Sequence, residues 1–256
     1  MSGRSPENDP RPVCELVEIA LACDDDWEAR AALHWRGTRE VLQTALALGN
    51  SHLPMHRALA ADILGQLGVP DRTFPEECFQ ELVALLEDED PRVISSAISA
   101  FGHLDAEGAA ERILPFSSHD DANVRHAVAF ALAGVDDSQV IATLLRLMAD
   151  VDADVRDWAT FAIGSQSDAD SPEIRAALAI ALSDEDADVR FEAICGLGRK
   201  RDRRAAPYLQ TLLRDDLDDF FARIAAAELI GLSADEEKAT AELLAALQRM
   251  SGEESR

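Results

Sequence analysis

The stretch Asp184-Glu185-Asp186-Ala187-Asp188-Val189-Arg190 decides the fold, because it returns as Asp150-Val151-Asp152-Ala153-Asp154-Val155-Arg156 and as His119-Asp120-Asp121-Ala122-Asn123-Val124-Arg125. Fainter copies begin at Asp24, Ser51, Asp88 and Leu217, so successive blocks step by 27, 37, 31, 31, 34 and 33 residues. A period near thirty marks a stacked array, in which each unit buries its apolar face only against its neighbours. Such an array presents an extended surface rather than one cleft, so the repeat itself points to interaction.

The residues after each block give the unit its shape. Three positions past the Arg, whose slot Ile94 fills in the third copy, stands an apolar residue of modest size (Leu33, Ala60, Ala97, Val128, Ala159, Ala193, Ala226), and eight past it usually a glycine (Gly65, Gly102, Gly164, Gly198, Gly231), with Thr38 after Gly37 in the first copy and Ala133 before Gly134 in the fourth. Val155, Ala159, Ala162 and Ile163 fall at helical spacing, as do Val189, Ala193, Ile194 and Leu197, so each block opens a helix. Its Asp and Asn residues are natural N-caps, and the glycine near the far end is expected to form a left-handed C-cap. A second helical stretch precedes each block: Val13–Ala22, Thr38–Leu48, Pro75–Leu86, Glu107–Leu114, Ser138–Ala149, Ser171–Leu182 and Arg203–Leu213. Ser233–Met250 reads as an eighth outer helix covering the last repeat.

With its D-x-x-V-R turn, then a small residue, then Leu-Gly, the chain resembles the HEAT repeat family, in particular the short subclass similar to the repeats of phycobilisome lyases, from about Val13 to Met250. The resemblance implies an all-α, right-handed α-α superhelix, a HEAT-like solenoid of about seven helix pairs plus a C-terminal capping helix. Residues 1–12 are expected to be disordered, 13–250 to form a single repeat domain and 251–256 a flexible tail. Relatives in the broader helical-repeat world serve as scaffolds, adaptors and inhibitors, and a few, bilin lyase subunits and certain DNA alkyl-base glycosylases, do chemistry.

Composition narrows the class further. Aromatics make up only 5% of the chain, and alternating β-branched runs are absent, which argues against strands. The net charge of −25 disfavours nucleic acid, whose phosphates demand clustered Lys and Arg, and disfavours anionic membranes for the same reason. A basic partner would be steered toward this field. The four cysteines Cys14, Cys23, Cys78 and Cys195 are scattered without zinc-site spacing and read as reduced core thiols. With no apolar leader in Met1–Pro12 and no long apolar run, the cytoplasm is the expected compartment.

Several residue groups compete as sites. The Asp-x-Asp-x-Asp starts at Asp150 and Asp184 imitate a calcium loop, yet Val155 and Val189 occupy its turn-Gly position and Phe161 and Cys195 its bidentate Glu position, which favours helix capping. Arg57, Arg125, Arg156, Arg190 and Arg223 form an expected structural ladder, each guanidinium forking onto an Asp of its own or the adjacent repeat. His52 and His56 have metal-ligand spacing on a helix, but Pro54 between them marks a helix entrance, so no metal is expected. Arg199, Lys200, Arg201, Arg203 and Arg204 form the one basic run. It is either a solvated loop neutralised by Asp215, Asp216, Asp218 and Asp219 or a hook for an acidic segment or phosphate. The 37-residue step leaves Val69–Glu76 as a functional loop or as drift.

One and five residues past the Arg position lie together on the helix surface, away from the small-residue stripe. In the fourth to sixth repeats these positions hold His126 and Phe130, Asp157 and Phe161, Phe191 and Cys195, with Trp158 adjacent. If the second helices line a concave side, as the resemblance implies, this is an apolar strip rimmed by acidic turns; alternatively the rings pack between neighbouring repeats. There is no phosphate loop, nucleophile elbow or H-E-x-x-H helix. The expected function is therefore a non-catalytic protein-binding scaffold or adaptor without a cofactor, whose partner is another protein, possibly basic. His126, Phe130, Asp157, Trp158, Phe161 and Phe191 are its partner-binding residues. Two alternatives stand beside it: an acidic inhibitor or immunity protein that neutralises a basic, nuclease-like partner, and a lyase-like subunit that handles a chromophore or cofactor.

Overall fold

The computed structural model describes residues 6–22, 27–215, 220–231 and 240–253. Among them every regular element is helical, and the contacts group into two compact units, Met1–Leu132 and Ala133–Arg256. The boundary falls at the fourth repeat, whose eighth position holds Ala133 where its neighbours hold Gly102 and Gly164.

The first unit pairs α1 (Val13–Ala22) with α2 (Trp27–Arg36), α3 (Arg39–Gly49) with α4 (Pro54–Gln66), α5 (Pro75–Leu85) with α6 (Pro91–Leu104), and α7 (Ala106–Ile113) with α8 (Ala122–Ala131). The second pairs α9 (Ser138–Leu147) with α10 (Ala153–Phe161), α11 (Pro172–Ala181) with α12 (Ala187–Arg199), and α13 (Ala206–Asp215) with α14 (Phe220–Leu229). The last helix is α15 (Thr240–Glu253), which packs on α13 and α14; the start expected for it at Ser233 lies outside the described residues. The second helices of consecutive pairs pack on one another, α4 on α6 and α6 on α8 in the first unit, α10 on α12 and α12 on α14 in the second. Their buried stripes are made of small and branched residues, for example Val155, Ala159, Ala162 and Ile163, then Val189, Ala193 and Leu197.

The acidic turns start these helices through their side chains. Asp90, Asp121, Asp152 and Asp186 are the N-caps of α6, α8, α10 and α12, each accepting a backbone N–H of the first turn. The recurring glycines do something other than cap. A Cβ on Gly65 would come within 2.7 Å of the Cα of Ala100, and one on Gly164 within 2.9 Å of the Cα of Gly196. Gly102 and Gly198 are likewise pressed against Ala131 and Ala225. These four glycines let the backbones of neighbouring repeats approach, and the expectation of left-handed caps holds at Gly231 (φ +87°) and at Gly37 (φ +54°) and Gly134 (φ +84°), one residue off the eighth position.

One terminal segment differs from expectation, and the connection left open between function and drift takes a packed form. Residues 6–12, expected to be disordered, include a 3-10 turn over Pro6–Asn8, and Arg36 of α2 donates to the carbonyls of Asp9 (2.6 Å) and Arg11. The Arg11 guanidinium forks onto Asp9 and holds its carboxyl down at about 2. The long connection between α4 and α5 is a packed strap. Gly68 N–H donates to the His34 carbonyl at the end of α2 (2.6 Å), and Arg72 reaches the His103 carbonyl near the end of α6 (3.1 Å). Both bonds satisfy carbonyls that a helix end leaves open. The strap places Arg72 and Phe74 in the left-handed region, φ 59° and 53°, and the Arg39 guanidinium lies 4.0 Å from the centre of the Phe74 ring.

Candidate functional site

Where a block ends in arginine, as in the second, fourth, fifth and sixth, that side chain braces the repeat turn. In the second repeat Arg57 donates Nη1 to the Ser51 carbonyl of its own turn (2.9 Å) and forks Nε and Nη2 onto Asp88 of the next turn (2.6 and 2.9 Å). Arg156 repeats the pattern with the Asp150 carbonyl (3.0 Å) and the Asp184 carboxylate (2.9 and 2.8 Å). Arg125 and Arg190 donate Nη1 to the same turn carbonyls, of His119 and of Asp184. Asp88 and Asp184 also accept the backbone N–H two residues on, from Asp90 and Asp186. Arginine beside them holds both carboxyls below the ordinary range. One guanidinium therefore ties a turn to itself and to its successor, a use that needs a planar fork and that lysine cannot supply. Of the alternating aspartates, Asp150, Asp152, Asp184 and Asp186 accept backbone or arginine donors of the turns, and among the described residues no three His, Cys, Asp or Glu side chains group as a metal site. His56 Nδ1 lies 3.2 Å from the hydroxyl of Ser51, and α4 begins at Pro54, beyond His52.

In the second unit, α10 carries Asp157, Trp158 and Phe161 and the adjacent α12 carries Phe191, all four half-buried, while Cys195 is buried. The rings of Trp158 and Phe161 meet edge to face, centroids 5.5 Å apart at 86°. Asp157 is the anomaly. Its Oδ1 is enclosed yet has no hydrogen-bond partner. Desolvation, and then the charges of Asp188, Asp186 and Asp154, push its carboxyl up to about 6. A shielded acceptor without a donor costs free energy that the fold could avoid with Ala.

His126 and Phe130 fall in the first unit, on α8, both half-buried, so the six strip residues divide between the two units. Phe130 meets the His103 ring edge to face at 5.3 Å. Sequence reasoning overlooked what the same two offsets hold in earlier repeats: Asp62 in the second, Ser95 and Ser99 in the third. These line a cavity of about 170 Å³ together with Ser96, Ala100 and His103. Behind it Asp62 Oδ2 accepts from Arg30 Nη1 (3.1 Å) and lies 3.3 Å from Nε2 of the buried His34. Although burial opposes it, these partners hold the Asp62 carboxyl below its ordinary value. Counting the +1 and +5 positions through all the repeats, instead of only the aromatic ones, would have found this polar face.

The basic run is largely spent inside the fold. Lys200 is buried, its Nζ donating to the carbonyls of Ser167 (3.0 Å) and Ala169 (2.9 Å), and burial lowers its pKa. Arg199 donates to the Ser165 carbonyl (2.7 Å) and lies 3.4 Å from Glu228. Arg204 forks onto Asp202 and reaches the Arg175 carbonyl (3.2 Å), and Arg203 is also engaged. Its described counter-charges are thus Asp202 and Glu228; of the four aspartates expected to neutralise it, Asp216, Asp218 and Asp219 lie outside the described residues. Among the cysteines Cys78 and Cys195 are buried and Cys14 is exposed, a correction to the core-thiol expectation; Cys23 lies outside the described residues.

The repeated helix pair, the capping aspartate, the arginine fork and the small-residue contact together make a repeat that can be compared with known ones. The sequence profile of HEAT repeats matches residues 79–164 and 174–256. The chain belongs to the HEAT-repeat family. Protein YibA of Escherichia coli (strain K12) is 29% identical over 184 residues, 69% of this chain and 65% of that protein. The chain thus spans about 65% of the length of the curated relative it matches. The X-ray structure of E. coli YibA superposes with a TM-score of 0.67 at 25% identity, covering 93% of each chain. The complex of CpcE and CpcF of phycocyanin lyase from Nostoc sp. PCC7120 superposes with a TM-score of 0.51 at 18% identity, covering 98% of this chain and 99% of that one, a likeness of fold. In this HEAT-repeat chain the turns carry the recurring aspartates and arginines, whereas the second-helix face changes from one repeat to the next. Among the described residues no helix is long and apolar enough to cross a membrane.

Proposed function

We propose that this HEAT-repeat chain is a non-catalytic scaffold that holds a basic segment of a partner protein. In the second unit Asp157, Trp158, Phe161 and Phe191 receive it; in the first, His126 and Phe130 offer contacts of their own. The observation that carries the reading is the enclosed, unpartnered Oδ1 of Asp157 beside an edge-to-face aromatic pair. A carboxylate next to ring faces is the chemistry that recognises a lysine or arginine, through a charge-assisted bond to the acid and a cation–π contact to the ring. The net charge of −25 supports the same partner class by steering it in. An inhibitor that covers the basic surface of its target is the sharper form of this reading.

The test is an affinity capture of partners by the tagged chain at two salt concentrations, beside a Phe161→Ala, Phe191→Ala variant that still melts cooperatively. A basic protein retained by the wild type, weakened by salt and lost by the folded variant supports the scaffold. A partner retained equally by both, or an absorbing small molecule carried through purification in place of a partner, overturns it and favours the lyase-like alternative.

A further inference from the structure

Helix α12 ends in a backbone conformation that its sequence should avoid. Arg201 N–H donates to the Gly198 carbonyl (2.9 Å) and Asp202 N–H to the Leu197 carbonyl (2.8 Å), which is the Schellman pattern of a helix end. That pattern puts Arg201 in the left-handed region, φ 56°, where glycine is the usual occupant and any side chain adds strain. Strain at a position where glycine would do is a reason to ask what the side chain is kept for. The Arg201 guanidinium is exposed and makes no hydrogen bond or ion pair among the described residues, unlike its neighbours Arg199, Lys200, Arg203 and Arg204.

It lines a cleft of about 290 Å³ beside the π-turn Ala162–Gln166 that ends α10. Arg175, Arg199 and Lys200 line the same cleft, against Asp168, Asp170 and Glu228, so four cations face three acids in a chain of net charge −25. Asp170 is answered by the Arg175 fork (2.7 and 2.6 Å), whereas Glu228 Oε2, shielded and 3.4 Å from Arg199 Nε, makes no hydrogen bond, and Asp202 adds a further carboxylate 3.6 Å from Arg175 Nη1. At physiological ionic strength exposed charges are screened beyond roughly 8 Å, so the groups lining the cleft decide what it holds, and of its cations the Arg201 guanidinium alone has no partner among the described residues.

We propose that this cleft binds an oxyanion, the phosphate or carboxylate group of a small ligand, gripped by the Arg201 fork with the third Lys200 proton and the remaining Arg199 donors beside it. The proposal stands apart from partner capture at Asp157 and neither depends on the other.

The full-length chain, labelled with nitrogen-15, is titrated with sodium phosphate and separately with sodium acetate, at ionic strength fixed by sodium chloride, following the arginine side-chain Nε–H signals. Saturable shifts at Arg199 and Arg201 are expected, with a dissociation constant on the order of 1 mM for so small a probe. Saturation by phosphate alone identifies a phosphate-class ligand, and saturation by both an oxyanion site of either kind. Arg201→Gly should weaken binding at least tenfold while raising Tm by roughly 1–3 °C, because glycine relieves the left-handed strain. Shifts that only follow ionic strength, or an Arg201→Gly chain that binds phosphate as the wild type does, would overturn the proposal.

Discussion

Asp157→Asn removes a charge that the fold shelters badly, and its consequence can be worked out from the carboxyl itself. Folding raises the Asp157 pKa from 3.8 to about 6. A rise of about two units corresponds to at most ~3 kcal/mol favouring the unfolded chain once both states are ionised. Water still reaches this half-buried side chain, and screening reduces the expected penalty to about 1–2 kcal/mol. The sign follows from proton binding. Below pH 3.8 the carboxyl is protonated in both states and contributes nothing; between about 4 and 6 the unfolded chain ionises first, and stability is lost as pH rises. Above about 6 the loss is constant. An asparagine side chain at this position carries no such charge, so the variant should be more stable than the wild type at pH 7.5, by a margin that shrinks toward zero near pH 4. Urea denaturation at pH 4.5, 5.5, 6.5 and 7.5 measures that margin, and a carbon-13 titration of the Asp157 carboxyl should give a midpoint near 6. A margin independent of pH, a midpoint below 4.5, or a destabilised Asp157→Asn variant at pH 7.5 would refute the reasoning.

Other consequences are simpler to state. Arg156→Ala breaks a fork whose side chains are only 10% and 14% exposed, leaves Asp184 without its counter-charge, and should cost about 3 kcal/mol by thermal denaturation; a double-mutant cycle with Asp184→Asn should show coupling of about 1–3 kcal/mol. Gly65→Ala, which in an exposed helix would gain up to about 1 kcal/mol, should instead lose about 1–3 kcal/mol, because the new Cβ meets Ala100 at 2.7 Å. Asp152→Ala removes the side chain that caps α10 and should lower stability by about 1 kcal/mol in the same denaturation assay. Maleimide labelling read by peptide mass spectrometry at pH 8 should modify exposed Cys14 in the folded chain, whereas Cys78, pushed up to about 11 by burial, should react only after denaturation.

The helices were legible because their signals are local. An aspartate, a valine and an arginine in fixed order open α10 and α12, and Pro54, Pro75 and Pro91 mark the first turns of α4, α5 and α6. What failed to show was anything that depends on the neighbouring repeat. Glycine at the eighth position satisfies the rule for a C-cap, yet Gly65 and Gly164 serve a contact with the second helix of the next repeat. The basic run looked solvated because nothing in its own stretch reveals that Lys200 folds under the carbonyls of Ser167 and Ala169. The candidate site was half legible. Aromatics in a chain that is only 5% aromatic drew attention to Phe161 and Phe191, but composition could not say that Asp157 lacks a partner, nor that Asp62 and three serines share one cavity.

The central claim, that the second-helix face around Asp157 receives a basic partner segment, is tested most directly by contact. A photo-reactive phenylalanine analogue at position 161, irradiated in cells that produce the full chain, should yield one dominant covalent adduct to another protein, mapped by mass spectrometry to a lysine- or arginine-rich segment, and Asp157→Asn should diminish it. Adducts spread over many unrelated proteins, or a single adduct to an acidic segment that Asp157→Asn leaves unchanged, would contradict the account.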